Sequence, residues 1–193
     1  TDVDTVDAAA VTGAITIAAA DRPDTAMTIT TSTGDDSIAM DHKNDVIDAG
    51  TGTDTLVVGG NGVLGGFAVD LSSTTDQITQ YGGVANAAVQ KGFESVNLGA
   101  LTGSYGSDVT GSDGANTITV NDQNSNVDAG KGNDTIYGGE GTDVLIGGKG
   151  DDNFIVRTTA DIAASNSIED TFTGGDGTDK ILFNGGVTIA STD

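Results

Sequence analysis

The chain has 193 residues, with 30 glycines, one proline, no cysteine and no tryptophan, and its 29 acidic residues against 7 basic ones leave a formal charge of −22. That balance excludes nucleic acid as a partner, because no basic stripe exists to neutralise phosphates, and it disfavours an anionic membrane surface for the same reason. No apolar run is long enough to cross a bilayer, so direct membrane insertion is not expected, and without cysteine no disulfide can staple so glycine-rich a chain.

Residues 1–30 start acidic (TDVDTVD) and then alternate in AVTGAITIA (10–18) and TAMTIT (25–30). This reads as two strands around a turn at Asp21–Asp24, forming a cap for the repeats or a segment that reaches a neighbouring molecule. Asp2, Asp4 and Asp7 lack the glycine and terminal glutamate of an EF-hand loop and read as a solvated acidic end.

Residues 31–57 bring the first periodicity. They divide into TSTGDDSIA, MDHKNDVID and AGTGTDTLV, with Asp36, Asp45 and Asp54 nine residues apart and Gly34 and Gly52 two residues before an aspartate. Lys43 stands where that glycine is expected in the middle copy. His42, the single histidine, sits in a turn beside it, which argues against a nucleophilic triad or a histidine zinc site.

Residues 58–101 interrupt the beat. GFAVDLSS (66–73) and FESVNLGAL (93–101) read as strands that continue the same solenoid, and Ala85–Gln90 as one short helical turn. GNGVLG (60–65) fits the dinucleotide fingerprint by letter, but no helix pattern comes after it.

Residues 102–182 hold the main repeat block. Its centre is AGKGNDTIY (129–137), GGEGTDVLI (138–146) and GGKGDDNFI (147–155), followed at a distance by GGDGTDKIL (174–182). Asp134, Asp143, Asp152, Asp161, Asp170 and Asp179 all keep the nine-residue step, while Asn116 and Ser125 take the aspartate position upstream. The accompanying glycines are Gly132, Gly139, Gly141, Gly148, Gly150, Gly175 and Gly177. Residues 31–57 align with 111–137 at an offset of 80, which reads as an internal duplication. Residues 183–193 read as a closing strand.

The spacing has a chemical logic. Glycine lets the chain turn with positive φ and brings backbone carbonyls inward without a Cβ clash. The aspartate adds a hard carboxylate oxygen of the kind Ca²⁺ gathers six to eight at a time. The three residues after each aspartate form a short strand whose middle side chain points inward. That position holds Ile38, Ile47, Leu56, Ile118, Val127, Ile136, Leu145, Phe154, Phe172 and Ile181. Paired carboxylates such as Asp35–Asp36 and Asp151–Asp152 then serve the turns, the second of each pair at the metal position, and not glycoside hydrolysis.

These copies resemble the glycine-rich calcium-binding nonapeptide of RTX proteins. The resemblance implies an all-β fold, a right-handed parallel β-roll in which each nonapeptide is half a turn and calcium sits between coils. It also implies that aspartates two copies apart share an ion: Asp36 with Asp54, Asp134 with Asp152, Asp143 with Asp161, Asp152 with Asp170 and Asp161 with Asp179. Asn116, Ser125, Lys43 and the glycine-free stretch Val156–Asp161 depart from the pattern, which weakens the sites at those copies.

Nothing in the chain resembles a catalytic centre, so no enzyme activity of its own is expected. The expected function is that of a secreted calcium-binding structural protein at the bacterial surface. It would fold on extracellular calcium and self-associate into a lattice or filament as a surface-layer, matrix-fibre or adhesin subunit. The alternative is a calcium-triggered folding and secretion module of a larger type I-secreted enzyme or toxin. A ligand-binding face for glycans or ice ranks last, since its threonine ladder (Thr117, Thr119, Thr135) is only partial in the sequence. No secretory leader is visible, which fits either a mature N-terminus or an uncleaved C-terminal export signal.

Overall fold

A computed structural model describes residues 4–18, 25–60, 65–156 and 170–183. The N-terminal strands are β1 (Asp4–Asp7), β2 (Thr16–Ile17), β3 (Met27–Thr30), β4 (Ser37–Met40), β5 (Val46–Asp48) and β6 (Thr55–Gly60). The middle of the chain supplies β7 (Phe67–Asp70), β8 (Ile78–Tyr81), β9 (Val84–Ala85), β10 (Gln90–Lys91) and β11 (Ser95–Leu101). Then come β12 (Ser107–Ser112), β13 (Thr117–Thr119), β14 (Asn126–Gly130), β15 (Thr135–Tyr137), β16 (Val144–Lys149), β17 (Asn153–Val156), β18 (Thr171–Asp176) and β19 (Lys180–Phe183). Among the described residues there is no helix.

Successive strands alternate between two walls, which makes a parallel β-roll. One wall is a single eight-stranded sheet in the order β19-β17-β15-β13-β11-β6-β4-β2, parallel at every step. The other is split into a four-stranded sheet (β1-β3-β5-β10) and a seven-stranded one (β18-β16-β14-β12-β7-β8-β9). One coil takes two nonapeptides, so Ile118 pairs with Ile136 and Ile136 with Phe154, each 18 residues on.

Stacked in register, these side chains fill the space between the walls. Ile38, Ile47, Leu56, Ile118, Val127, Ile136, Leu145 and Phe154 are all buried, as the nine-residue beat requires. Phe172 is part-buried and packs edge-on against Phe154, ring centroids 5.5 Å apart. Ile181 is 43 % exposed, because β19 is the outermost strand of its wall.

At the N-terminal end β1 pairs in parallel with β3 and β2 with β4, so these strands stack on the roll itself. The proposed turn at Asp21–Asp24 and most of the closing segment 183–193 lie outside the described residues. In the interruption, β7 and β11 do continue the solenoid, but β8 folds back antiparallel against β7 and β9 antiparallel against β8. The helical turn expected at Ala85–Gln90 is instead the end of β9, a connection and the start of β10. Gln77, buried beneath this hairpin, bonds Leu71 O at 3.1 Å and Phe93 O at 2.7 Å, which holds the chain extended there.

Candidate metal centre

Six of the nonapeptide turns end on a fully buried carboxylate. Asp36, Asp45, Asp54, Asp134, Asp143 and Asp152 are all 2 % exposed or less. Their Oδ1 atoms share one task, accepting the backbone N–H of the residue one coil earlier. Asp54 accepts from Asp36 at 2.7 Å, Asp134 from Asn116 at 2.7 Å, Asp152 from Asp134 at 2.9 Å and Asp143 from Ser125 at 2.7 Å. Strands begin immediately afterwards, with Thr135 N donating to Asn116 O and Asn153 N to Asp134 O. The carboxylate therefore fixes the start of each strand against its neighbour.

A second ladder runs beside the first, in the opposite sense. The residue before each aspartate accepts from the next coil, Asp35 from Thr53 at 2.9 Å, Asn133 from Asp151 at 2.9 Å and Asp151 from Thr178 at 2.8 Å. Each acidic pair thus points one side chain up the roll and one down it.

What remains is an unbalanced set of oxygens. The Oδ2 atoms of Asp36, Asp54, Asp134 and Asp152 are buried with no hydrogen-bond partner. An isolated buried carboxylate is costly, and its proton affinity shows the cost. Burial pushes the Asp54 carboxyl up to about 6, with repulsion from Glu94, Asp36 and Asp35 added and the Asp36 amide pulling the other way. Asp134 is pushed up to about 6 by burial and by Asp152, against the Asn116 amide, and Asp152 is raised by burial first.

The glycines line the same turns with carbonyls. Gly150 has φ +126°, and a Cβ there would lie 1.8 Å from Gly132 O. Gly148 has φ +104°, and its Cβ would meet Gly130 O at 2.1 Å. Only glycine fits a backbone stacked so closely on carbonyl oxygens. Among the described residues no three acidic or histidine side chains converge. The oxygens on offer are pairs of carboxylates with backbone carbonyls around them, a hard, all-oxygen donor set suited to calcium.

The model of the RTX calcium-binding nonapeptide repeat matches four segments of the sequence, residues 43–62, 110–144, 121–154 and 160–188. The chain carries RTX calcium-binding nonapeptide repeats. RTX repeats bind calcium, and proteins that carry them are typically secreted. No curated protein matches the chain. Among the described residues no helix is long and apolar enough to cross a membrane.

Within this RTX roll the sequence-derived sites divide clearly. Asp36 with Asp54 and Asp134 with Asp152 are stacked one coil apart, as the resemblance implied, and Gly34, Gly52, Gly132 and Gly150 lie in their turns with positive φ. The partners expected for Asp143 and Asp152 need correction. Asp143 N is held by Asp170 Oδ1 at 2.9 Å and Asp152 N by Asp179 Oδ1 at 3.0 Å, each 27 residues away and not 18. The reason is register. β16 pairs directly with β18 and β17 with β19, so the step between these coils is 27 residues and not 18. Asp161 itself lies outside the described residues. Gly139, Gly141, Gly148, Gly175 and Gly177 all have positive φ in the stacked turns.

Three positions satisfy themselves with protein groups. Asn116 accepts from Ser112 N at 2.7 Å and donates to Glu94 O at 2.6 Å. Ser125 Oγ donates to Gln123 O and accepts from Ser107 N. Asp45 uses Oδ1 for Met27 N and turns Oδ2 to His42 N at 3.1 Å, in the turn where Lys43 replaces glycine. The ladder also has a member that the period does not reveal. Glu94 Oε2 accepts Asp54 N at 2.8 Å, as an aspartate one coil on would. Its 40-residue separation from Asp54 hides it, and only the strand-like FESVNLGAL around it gives a signal.

Proposed function

We propose that the chain is a secreted structural protein, without catalytic activity of its own, that folds on extracellular calcium and then associates with further copies at the bacterial surface. The observation that carries this reading is the set of buried Asp36, Asp54, Asp134 and Asp152 Oδ2 atoms without a partner. A roll of net charge −22 with such groups inside repels itself until cations enter. Asp36 with Asp54 and Asp134 with Asp152 are the residues that would hold them, assisted by the carbonyls of Gly34, Gly132 and Gly150. Bound calcium supplies the positive charge and oxygen coordination that the thin interior lacks. Each site at tenfold excess over its dissociation constant then adds about 1.4 kcal/mol to folding. A structural role is supported by the reach of the roll through all the described residues.

The test is a calcium titration followed by circular dichroism and analytical ultracentrifugation. The β signal is expected to develop between about 0.1 and 1 mM calcium, the range of extracellular modules. Particles larger than the monomer should form over the same range. An unchanged β signal under chelator would overturn the calcium-driven folding. A strictly monomeric folded roll at every concentration would favour the alternative, a folding and secretion module of a larger protein.

A further inference from the structure

The charges of this molecule are not spread evenly over its two walls. On the continuous eight-stranded wall, the residues flanking the buried positions form two outward columns. One runs through Ser37, Thr55, Ser95, Thr117, Thr135 and Asn153, joined at the first strand by Thr16 and ending on Lys180. The other runs through Ala39, Val57, Asn97, Thr119, Tyr137 and Ile155 and ends on Leu182. Ser95 and Thr119 are buried, and the others are part-exposed or exposed. Neither column contains an acidic residue. The corresponding columns of the opposite wall hold Asp7, Asp48, Asp70, Asp108 and Asp128.

In a chain with 29 acidic residues, a wall of eight strands whose outward columns are free of them is a distinct chemical surface. The insertion at residues 58–101 hides it from the sequence, because it shifts Ser95 and Asn97 out of the nine-residue phase while leaving them in line in space.

We infer that the eight-stranded wall is the surface through which a second copy of this chain docks, face to face. This rests on the associating, calcium-folded roll proposed as the function, and it names the surface that associates. Two arguments select a second copy as the occupant. The first is charge: another molecule of the same −22 chain meets like charge at the opposite wall, whereas this one presents none but a lysine. The second is chemistry. Serine, threonine and asparagine side chains both donate and accept, so a column of them at strand spacing complements its own two-fold image.

Size sets the strength. Eight strands about 4.8 Å apart and segments of about four residues give a patch of roughly 34 by 13 Å. Doubled, that is on the order of 900 Å², below the ~1,200 Å² of stable dimers, so the pairing is reversible and concentration-dependent.

The experiment compares the full chain with T117D/T135D and with D108N/D128N, all in millimolar calcium. Sedimentation equilibrium up to about 1 mM protein reads association, and circular dichroism reads folding. The parent chain is expected to dimerise reversibly. T117D/T135D should fold with the same calcium midpoint and dimerise at least tenfold more weakly, and D108N/D128N should dimerise as well as the parent or better. If T117D/T135D folds and dimerises like the parent, association uses another surface and the inference is overturned while the assembling reading stands. Should T117D/T135D misfold, the near-isosteric N97D on the exposed second column is expected to fold and to dimerise several-fold more weakly than the parent; an N97D that folds and dimerises like the parent would overturn the inference. A parent that folds but stays monomeric at 1 mM overturns the inference together with self-association. So does a monomer retained on an insoluble polysaccharide through the same threonines, since the occupant is then not a second copy.

Discussion

The stretch from Phe67 to Ser125 and the repeat arm from Ala129 to Val156 are held in the same roll by different interiors. In the arm a thin line of buried apolar residues, Ile136, Leu145, Phe154 and Val156, fills the interior, and each turn ends on a buried aspartate. In the middle stretch the interior is thicker and neutral. Phe67, Leu71, Ile78, Phe93, Leu98 and Leu101 pack together, Tyr81 meets Phe67 edge-on at 5.3 Å, and the ladder positions pass to Asn116 and Ser125. Where carboxylates lack partners the fold depends on a cation; where amides and hydroxyls close their own bonds it depends on burial. The proposed folding on calcium therefore predicts an arm that depends on metal more strongly than the middle does.

Chelation should separate the two regions most. Under chelator, hydrogen exchange of the amides from Asp134 to Val156 is expected to approach that of an unfolded chain. Those of β7, β11 and β12 should remain slower by about tenfold or more. Uniform exchange across the chain would break the comparison.

Substitution gives the next largest effect. Phe93→Ala empties a fully buried aromatic site and is expected to cost about 3–5 kcal/mol in urea melts, with calcium or without it. Asp134→Asn should behave in the opposite way in the two conditions. With calcium it destabilises by loss of a ligand, and under chelator it removes an unpartnered charge and stabilises by about 1–3 kcal/mol. Equal effects of Asp134→Asn in both conditions would show that its carboxylate holds no cation.

Acidification gives the smallest effect. Asp54 and Asp134 are raised to about 6 in the metal-free roll, above the carboxylate range near 4 of an unfolded chain. Between those values the folded form binds more protons. The contribution of these two groups to metal-free stability is therefore greatest below about pH 4 and is lost as pH rises through 6. Calcium competes with the same protons, so its half-saturating concentration should rise as pH falls below 6, by up to about tenfold per unit for each proton displaced. A calcium midpoint constant from pH 7 to 5 would contradict the raised values.

The repeat arm was legible because its chemistry is periodic. Glycine, aspartate and the inward residue each recur on the beat, so the core positions can be read from the spacing, and the two walls and the Asp134–Asp152 stack from the family it resembles. The middle stretch was not, because its contacts are made once. Gln77 reaching Phe93 across 16 residues, or Glu94 standing in for an aspartate 40 residues after Asp54, leaves no repeated mark. The partner of Asp143 failed for a related reason. The letter at residue 161 fits the period, but the step from Asp143 to Asp170 spans three nonapeptides, and the glycine-free copy between them lacks the residues that a stacked turn demands. Nor does composition reveal that the two acids of a pair bond in opposite directions, since that depends on how adjacent side chains leave the backbone.

The return of β18 beside β16 after 27 residues shows that the roll keeps count in coils and not in residues. Val144 still meets Thr171 and Leu145 still meets Phe172, as if nothing had intervened. The other wall makes the same 27-residue step, with Phe154 against Ile181 and Ile155 against Leu182, so both walls advance together and the inward residues stay stacked.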